Sequence, residues 1–428
     1  MFRNRFAWRA VAVAGVAALT VSLAACGGGD EDAGDQIGPG DDPYEGTLKV
    51  GTIFPDSGSL SFLSPPMYAG VELALEDISA AGGVWGNDIE LTSQDEGDAD
   101  DSEVVAAAAD AHIENEVHGV IGAASSTSSL NIIEALYNQK IIQISASNTG
   151  PDFTGHEFGE FYFRTAPSDI LQGSVLANEI AADGHATAGV IAMQNDYGEG
   201  LADRIEEVYN GAGGDTVVKE FFDPNAPEYD GEIAALRDAD PDAIAIVSYE
   251  QAAQIFPALS EAGLGPDKKQ WYLVDGNLSD WSSEFDTKDL NLEGVKGTRA
   301  VSEEESQEFY DRMYETDHLE DDGDTTYGPQ SYDAVVALAL AAIAANSEDP
   351  DAIREQMVNI TAGDEDCNTF EKCKKLLEEG TSIRYVGQIG ALDWTEDGDL
   401  GHATIGLHEY GDDNNFELYR SETSEMEE

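Results

Sequence analysis

The sequence predicts an α/β protein of two doubly wound lobes joined by more than one crossover. Three observations lead there. From Leu48 onward, short apolar runs alternate with amphipathic stretches, the pattern of largely parallel sheets covered by helices. That rhythm stops near Phe161-Tyr162-Phe163-Arg164 and then starts again, so two such units follow one another. Finally, 428 residues exceed what a single hydrophobic core organises.

In the first unit, residues 48–53 read as a strand and 68–80 as a helix closed by Gly82-Gly83. Residues 89–92 form the next strand, and 102–114 a helix with Ser102 as its expected cap. Strands at 119–122 and 141–144 flank a helix over 129–137. Residues 161–164 are expected to carry the first crossover. The second unit has strands at 189–192, 217–221, 243–247 and 271–274, with helices at 201–209, 231–237 and 251–262. A helix-rich part follows (304–314, 331–345, 353–358), then a β-rich tail at 386–392, 403–408 and 416–419. Two such lobes enclose a cleft, and open α/β sheets bind ligands at the carboxyl ends of their strands.

The N-terminus reads as an export signal. Arg3, Arg5 and Arg9 precede an apolar run over 10–25, too short to span a bilayer comfortably, and no acid occurs before Asp30. Leu23-Ala24-Ala25-Cys26 places small residues directly before a cysteine, the pattern of a bacterial lipobox; Cys26 is the expected lipidation site. Gly27 to Gly29 and the acidic run over 30–42 suit a flexible tether. No later segment has eighteen consecutive apolar residues, so the membrane is expected to be touched only through the lipid.

The chain carries 86 acidic and 21 basic side chains, a net charge of −65, and three of those bases fall in the leader. Such a field excludes nucleic acid and anionic lipid as partners. Its spread along the whole chain predicts adaptation to a salty environment rather than a binding patch. Cysteine usage agrees with export: beyond Cys26 there are only Cys367 and Cys373, with five residues between them, expected to close a small disulfide loop. A zinc site would need further Cys or His, and the closest histidine is His402. No metal or cofactor is expected. The acidic clusters at 95–103 and 320–324 lack the spacing of a calcium loop and read as solvated turns.

Three strand ends carry candidate chemistry. Ser125, Ser126, Thr127, Ser128 and Ser129 follow the strand at 119–122 and open a helix; capping needs one hydroxyl, and five favour an anion. Ser147 and Thr149 sit in a second small, hydroxyl-rich turn after 141–144. Asp275-Gly276 follows the apolar Trp271-Tyr272-Leu273-Val274, an acid suited to an ammonium, although turn chemistry alone also selects Asp-Gly. Donors for a carboxylate on one lobe and an acid on the other match an α-amino acid. Tyr197 and Tyr249 are candidate aromatic walls.

Residues 48–83 contain Gly51-Thr52-Ile53, Ser57-Gly58-Ser59, Ala69-Gly70-Val71-Glu72-Leu73-Ala74 and Ala81-Gly82-Gly83. With Val120-Ile121-Gly122, Ile144-Ser145, Phe163-Arg164-Thr165, Tyr197-Gly198-Glu199-Gly200 and Glu261-Ala262-Gly263-Leu264, this ordered set resembles the leucine/isoleucine/valine-binding family of type I periplasmic binding proteins. The resemblance runs from about Leu48 to Tyr410. It implies two Rossmann-like lobes joined by three crossovers, and a monomer that delivers a small solute to the permease and ATPase subunits of an ABC importer. It places Ser126, Ser147 and Thr149 at the ligand carboxylate, Asp275 at the ammonium, and Tyr197 and Tyr249 in the cleft. Two departures touch the pocket: Phe62-Leu63 and Pro65-Pro66 stand where an aromatic is often found, and Asp275 replaces a longer glutamate.

The implied division is a signal peptide over 1–25 and a tether over 26–46. Residues 47–165 with 299–385 form the first lobe, and 166–298 with 386–428 the second. The expected function is an extracytoplasmic, lipid-anchored binding protein for a branched-chain type amino acid. The alternatives are a binder of urea or short amides and a sensory receptor of the same fold. An enzyme is not expected: there is no Gly-x-Ser-x-Gly elbow, His-Glu-x-x-His run or Walker loop, and the seven histidines are scattered.

Overall fold

The computed structural model describes residues 44–98, 101–302, 306–319 and 323–426. The expected leader, Cys26 and all but the last three residues of the expected tether lie outside the described residues. Those last three are not loose: the Tyr44 N–H donates to Asn346 Oδ1 at 2.7 Å, and its ring meets Trp85 edge-on.

Five strands build the first sheet: β1 (Lys49–Phe54), β2 (Glu90–Asp95), β3 (Gly119–Gly122), β4 (Ile142–Ser145) and β5 (Tyr162–Arg164). All pair in parallel in the order β2-β1-β3-β4-β5, with α1 (Ser64–Ala80), α2 (Ser102–Glu114) and α3 (Ser126–Asn138) as connections. Central β3 and β4 are buried at every residue, whereas edge strand β2 has no buried residue. The cap of α2 is Asp101, whose carboxylate accepts from the Val104 N–H, not Ser102. Residues 161–164 are not the crossover itself. They supply edge strand β5, and the chain leaves the sheet just after it.

The second sheet begins after α4 (Asp169–Ala182), a helix the sequence reading did not anticipate. It contains β6 (Thr187–Met193), β7 (Asp215–Phe222), β8 (Ala243–Val247), β9 (Gln270–Leu273) and β10 (Lys296–Ala300), with α5 (Asp196–Gly211), α6 (Asp230–Ala239) and α7 (Ala252–Glu261) between them. The chain then returns to the first lobe with α8 (Gln307–Tyr314), α9 (Gly328–Ala345), α10 (Pro350–Asn359), β11 (Glu365–Cys367), α11 (Phe370–Glu378), β12 (Ile383–Gly387) and β13 (Gly390–Ala391), where β11, β12 and β13 form a separate three-stranded sheet. Finally β14 (His402–Tyr410) and β15 (Phe416–Glu425) close the second sheet as an antiparallel pair, in the order β15-β14-β10-β9-β8-β6-β7.

The two lobes are therefore linked by three passages, after β5, after β10 and after β13. The third lies later than residues 385–386, because β12 and β13 stay against α9: Asp333 of α9 accepts from the N–H groups of Gln388 and Ile389 and from the Tyr385 hydroxyl. Helix α9 is apolar and long enough to cross a membrane, yet every residue from Gly328 to Ala344 is buried. It is the core helix of its lobe. Its contact with α1 depends on Gly70, where a Cβ would come within 2.0 Å of the Gly328 carbonyl. Cys367, at the end of β11, is disulfide-bonded to Cys373 in α11, with Cα atoms 5.3 Å apart.

Arg164 ties the first and third passages together. It is buried with Asp399, donating from Nε to Oδ1 at 2.6 Å, and it also donates to the carbonyls of Asn148 and Gly150. One buried cation thus braces the turn that follows β4.

Candidate functional site

The carboxyl ends of the parallel strands of both sheets converge on one cleft. Ser126 opens α3 beyond β3, and Ser147 and Thr149 occupy the turn after β4. From the other lobe come Tyr197 in the first turn of α5, Tyr249 after β8, and Asp275 after β9. All six line a single pocket with Leu60, Phe62, Leu63, Ala124, Gly276 and Tyr327. Its open volume is small, about 20 Å³, on the order of one water. A solute of amino-acid size therefore enters only as the lobes part.

On the second lobe, Asp275 is held by neutral donors. Its Oδ1 accepts from the Tyr197 hydroxyl at 2.8 Å and from Gln172 Nε2 at 2.7 Å; its Oδ2 accepts from the Tyr327 hydroxyl at 2.6 Å. Burial and the Asp275 charge push both phenols well above the usual tyrosine range, so they remain donors. Tyr197 stacks on Tyr249 with ring centroids 5.1 Å apart. Gly276 is required here, since a Cβ would lie 2.8 Å from the Ser248 carbonyl and from the Tyr249 ring. Tyr327 comes from the loop before α9, across the cleft, with φ 62°, a left-handed conformation rare for a bulky residue. A second interlobe bond runs from the Thr127 hydroxyl to Asp196 Oδ2 at 2.8 Å.

On the first lobe, two of the three expected donors are already committed. The Ser147 hydroxyl donates to the Ala124 carbonyl at 2.9 Å, and the Thr149 hydroxyl to Asp169 Oδ2 at 2.9 Å. A hydroxyl has one proton to give. Among the described residues, the Ser126 hydroxyl, whose oxygen accepts from the Gly150 N–H, is thus the one of the three that donates to no protein acceptor.

Four residues at or behind the pocket escaped the sequence reading: Tyr327, Gln172, Asp169 and Glu96. Asp169, fully buried at the start of α4, has its carboxyl pushed well above the usual range by burial and then by the Asp275 charge. Its Oδ1 and the Gln172 Oε1 are buried acceptors without a partner among the described residues. Glu96 corrects the reading of 95–103 as a solvated turn: it is buried, and its carboxylate accepts from the N–H groups of Ala124 and Ser125. Only Asp169 left a trace in sequence, as the acid after Pro167-Ser168 at a helix start.

Two lobes with their strand ends on a shared cleft, and opposed neutral-donor and acidic walls, define a two-lobed solute-binding protein. The periplasmic binding protein family matches residues 47–371, and the chain belongs to it. A Leu/Ile/Val-binding protein homolog from Brucella melitensis is 23% identical over 370 residues, covering 85% of this chain and 92% of the relative. Among solved structures, the branched-chain amino acid transporter substrate-binding protein LivJ of Streptococcus pneumoniae, in complex with isoleucine, aligns with a TM-score of 0.70 at 19% identity. That alignment covers 89% of this chain and 100% of the other. A solute-binding protein of an ABC transporter from Rhodopseudomonas palustris HaA2, in complex with p-hydroxybenzoic acid, aligns at 0.72 with 14% identity, covering 89% and 97%. The same fold thus holds zwitterions and aromatic acids in different relatives.

Proposed function

We infer that this chain captures an α-amino acid of branched-chain type outside the cytoplasm and presents it to the membrane subunits of an ABC importer. The carrying observation is one pocket with opposed walls: the Ser126 hydroxyl on one side, the Asp275 carboxylate on the other. The orphaned Asp169 Oδ1 and Gln172 Oε1 add acceptors on the acidic side and support an ammonium there. The Asp275 charge opposes an aromatic acid, which would bring a second negative charge to the pocket. Leu60, Phe62 and Leu63 supply apolar walls for an aliphatic side chain.

Lipid on Cys26 tethers the protein to the outer face of the membrane, and the dispersed acidity suits a saline surrounding. Mass spectrometry of the native N-terminus tests the first, with an acylated cysteine expected. A melting temperature that climbs from dilute buffer to molar chloride tests the second.

The experiment for the central reading is a thermal-shift panel of amino acids, short amides, urea and benzoates, followed by calorimetric titration of the best ligand. Isoleucine, leucine or valine is expected to lead. A best ligand without an amino group overturns the reading.

A further inference from the structure

We propose that Glu96 is a positioning residue for the carboxylate wall, and that its negative charge is neutralised by a proton from solvent when the carboxylate of a ligand arrives beside it. The inference rests on the amino-acid reading of the cleft. Glu96 ends the run of β2 and is anchored there by its own N–H, which donates to the Phe54 carbonyl at 2.8 Å. Its side chain passes beneath the turn between β3 and α3. Oε2 accepts from the Ala124 N–H at 2.7 Å and Oε1 from the Ser125 N–H at 2.8 Å. The Ala124 peptide is gripped from its other side as well, since its carbonyl accepts from the Ser147 hydroxyl and from Asn148 Nδ2. Glu96 therefore joins three strand ends, and Ser126, the hydroxyl facing the pocket, is the next residue along.

This geometry has an electrostatic consequence. The positive end of a helix attracts anions, and Glu96 already lies against the two amides that lead into α3, those of Ala124 and Ser125. A ligand carboxylate at Ser126 becomes a second anion at the same helix start. Glu96 is fully buried, with burial pushing its carboxyl up to about 7 against the opposing effect of the Ala124 and Ser125 N–H groups and the Ser128 hydroxyl. The groups facing it from the turn and from α3 are thus neutral donors, and the charge acting on it is that of Asp95, its neighbour on β2. A free-protein value near neutrality, raised further by a nearby anion, means proton uptake on binding. Affinity then rises as pH falls through 7, by roughly fivefold to tenfold between pH 8 and pH 6. The acidic wall works in the opposite sense: an ammonium beside Asp275 and Asp169 lowers the proton affinity of Asp169 and releases protons. The contribution of Glu96 is therefore the difference between wild type and Glu96→Gln.

The test is calorimetric titration with L-isoleucine at pH 6, 7 and 8, in phosphate and in Tris, for wild type and Glu96→Gln. The buffer dependence of the heat counts protons. Wild type is expected to take up more protons than the variant, with the excess greatest near pH 7, and its affinity relative to the variant is expected to fall by roughly fivefold to tenfold from pH 6 to pH 8. Should Glu96→Gln fail to fold, Ser128→Ala keeps the carboxylate, removes one of its donors, and is expected to move the uptake maximum to higher pH. Equal proton counts in wild type and Glu96→Gln, or an unmoved maximum in Ser128→Ala, overturn the proposal while leaving the amino-acid reading intact. A wild type that binds no amino acid overturns both.

Discussion

The wall around Ser126 and the wall around Asp275 are held in different ways. On the first lobe, Glu96, Ser147 and Asn148 fix the Ala124 peptide from within, and Arg164 braces the carbonyls of residues 148 and 150. The Ala124 peptide of that wall is held within one lobe, while its Thr149 also bonds Asp169 of the other. Asp275, by contrast, takes one of its three hydrogen bonds from Tyr327 across the cleft, so its environment changes as the lobes part. The first wall is a rigid template, and the second is charged and assembled on closure. On the amino-acid reading proposed above, capture would divide naturally: the carboxylate docks on the first wall, and the ammonium then replaces solvent at the acid as the cleft shuts.

The largest expected effect breaks the rigid wall. Arg164→Met strands the buried Asp399 carboxylate and releases the turn after β4, and is expected to cost about 3–5 kcal/mol of stability. Denaturant unfolding measures it; a loss under about 1 kcal/mol would mean the turn holds without its brace.

Asp275→Ala comes next and separates the walls. It is expected to weaken isoleucine by roughly tenfold to a hundredfold, since a charge-assisted hydrogen bond contributes about 1.5–3 kcal/mol. Stability of the free protein changes less, because Asp169 loses a like-charged neighbour. Calorimetry paired with a melting curve distinguishes this from a general folding defect.

A pH series sharpens the comparison. Glu96 has its carboxyl raised to about 7, so its contribution to stability is fully present below about pH 4.5 and is lost as pH rises through 7. Glu96→Gln carries no such term. The stability of wild type relative to this variant is therefore expected to fall from pH 5 to pH 8, by on the order of 1–3 kcal/mol. A difference independent of pH would show that Glu96 does not titrate in this window.

The smallest effect is at the interlobe hydroxyl. Tyr327→Phe removes one hydrogen bond to Asp275, about 0.5–1.5 kcal/mol, and no buried charge is created. The ligand-free protein should shift toward an open form, seen as a larger radius of gyration by small-angle scattering. An unchanged radius would assign closure to other contacts, Thr127 with Asp196 first among them.

What the sequence determined by itself is local. Apolar runs such as 119–122 and 243–247 read as buried strands, and small hydroxyl-rich turns follow those at 119–122 and 141–144. Hence Ser126, Ser147, Thr149, Tyr197, Tyr249 and Asp275 could be placed near strand ends, and all six line one pocket. Helix α4 was not, because Asp169–Ala182 is buried on several faces and shows no clean amphipathic period. Which hydroxyls keep a proton for the ligand was settled only in three dimensions, since Thr149 finds Asp169 twenty residues on and Ser147 finds Ala124 on another strand end. The same holds for the acids. In sequence Glu96 is one of a run of solvated-looking carboxylates, and Tyr327 is one tyrosine among sixteen. Burial beneath a helix start gives the one a proton affinity near neutrality, and a crossover of the chain brings the other to Asp275. Both depend on contacts between residues distant in the chain, and composition and periodicity carry no record of those.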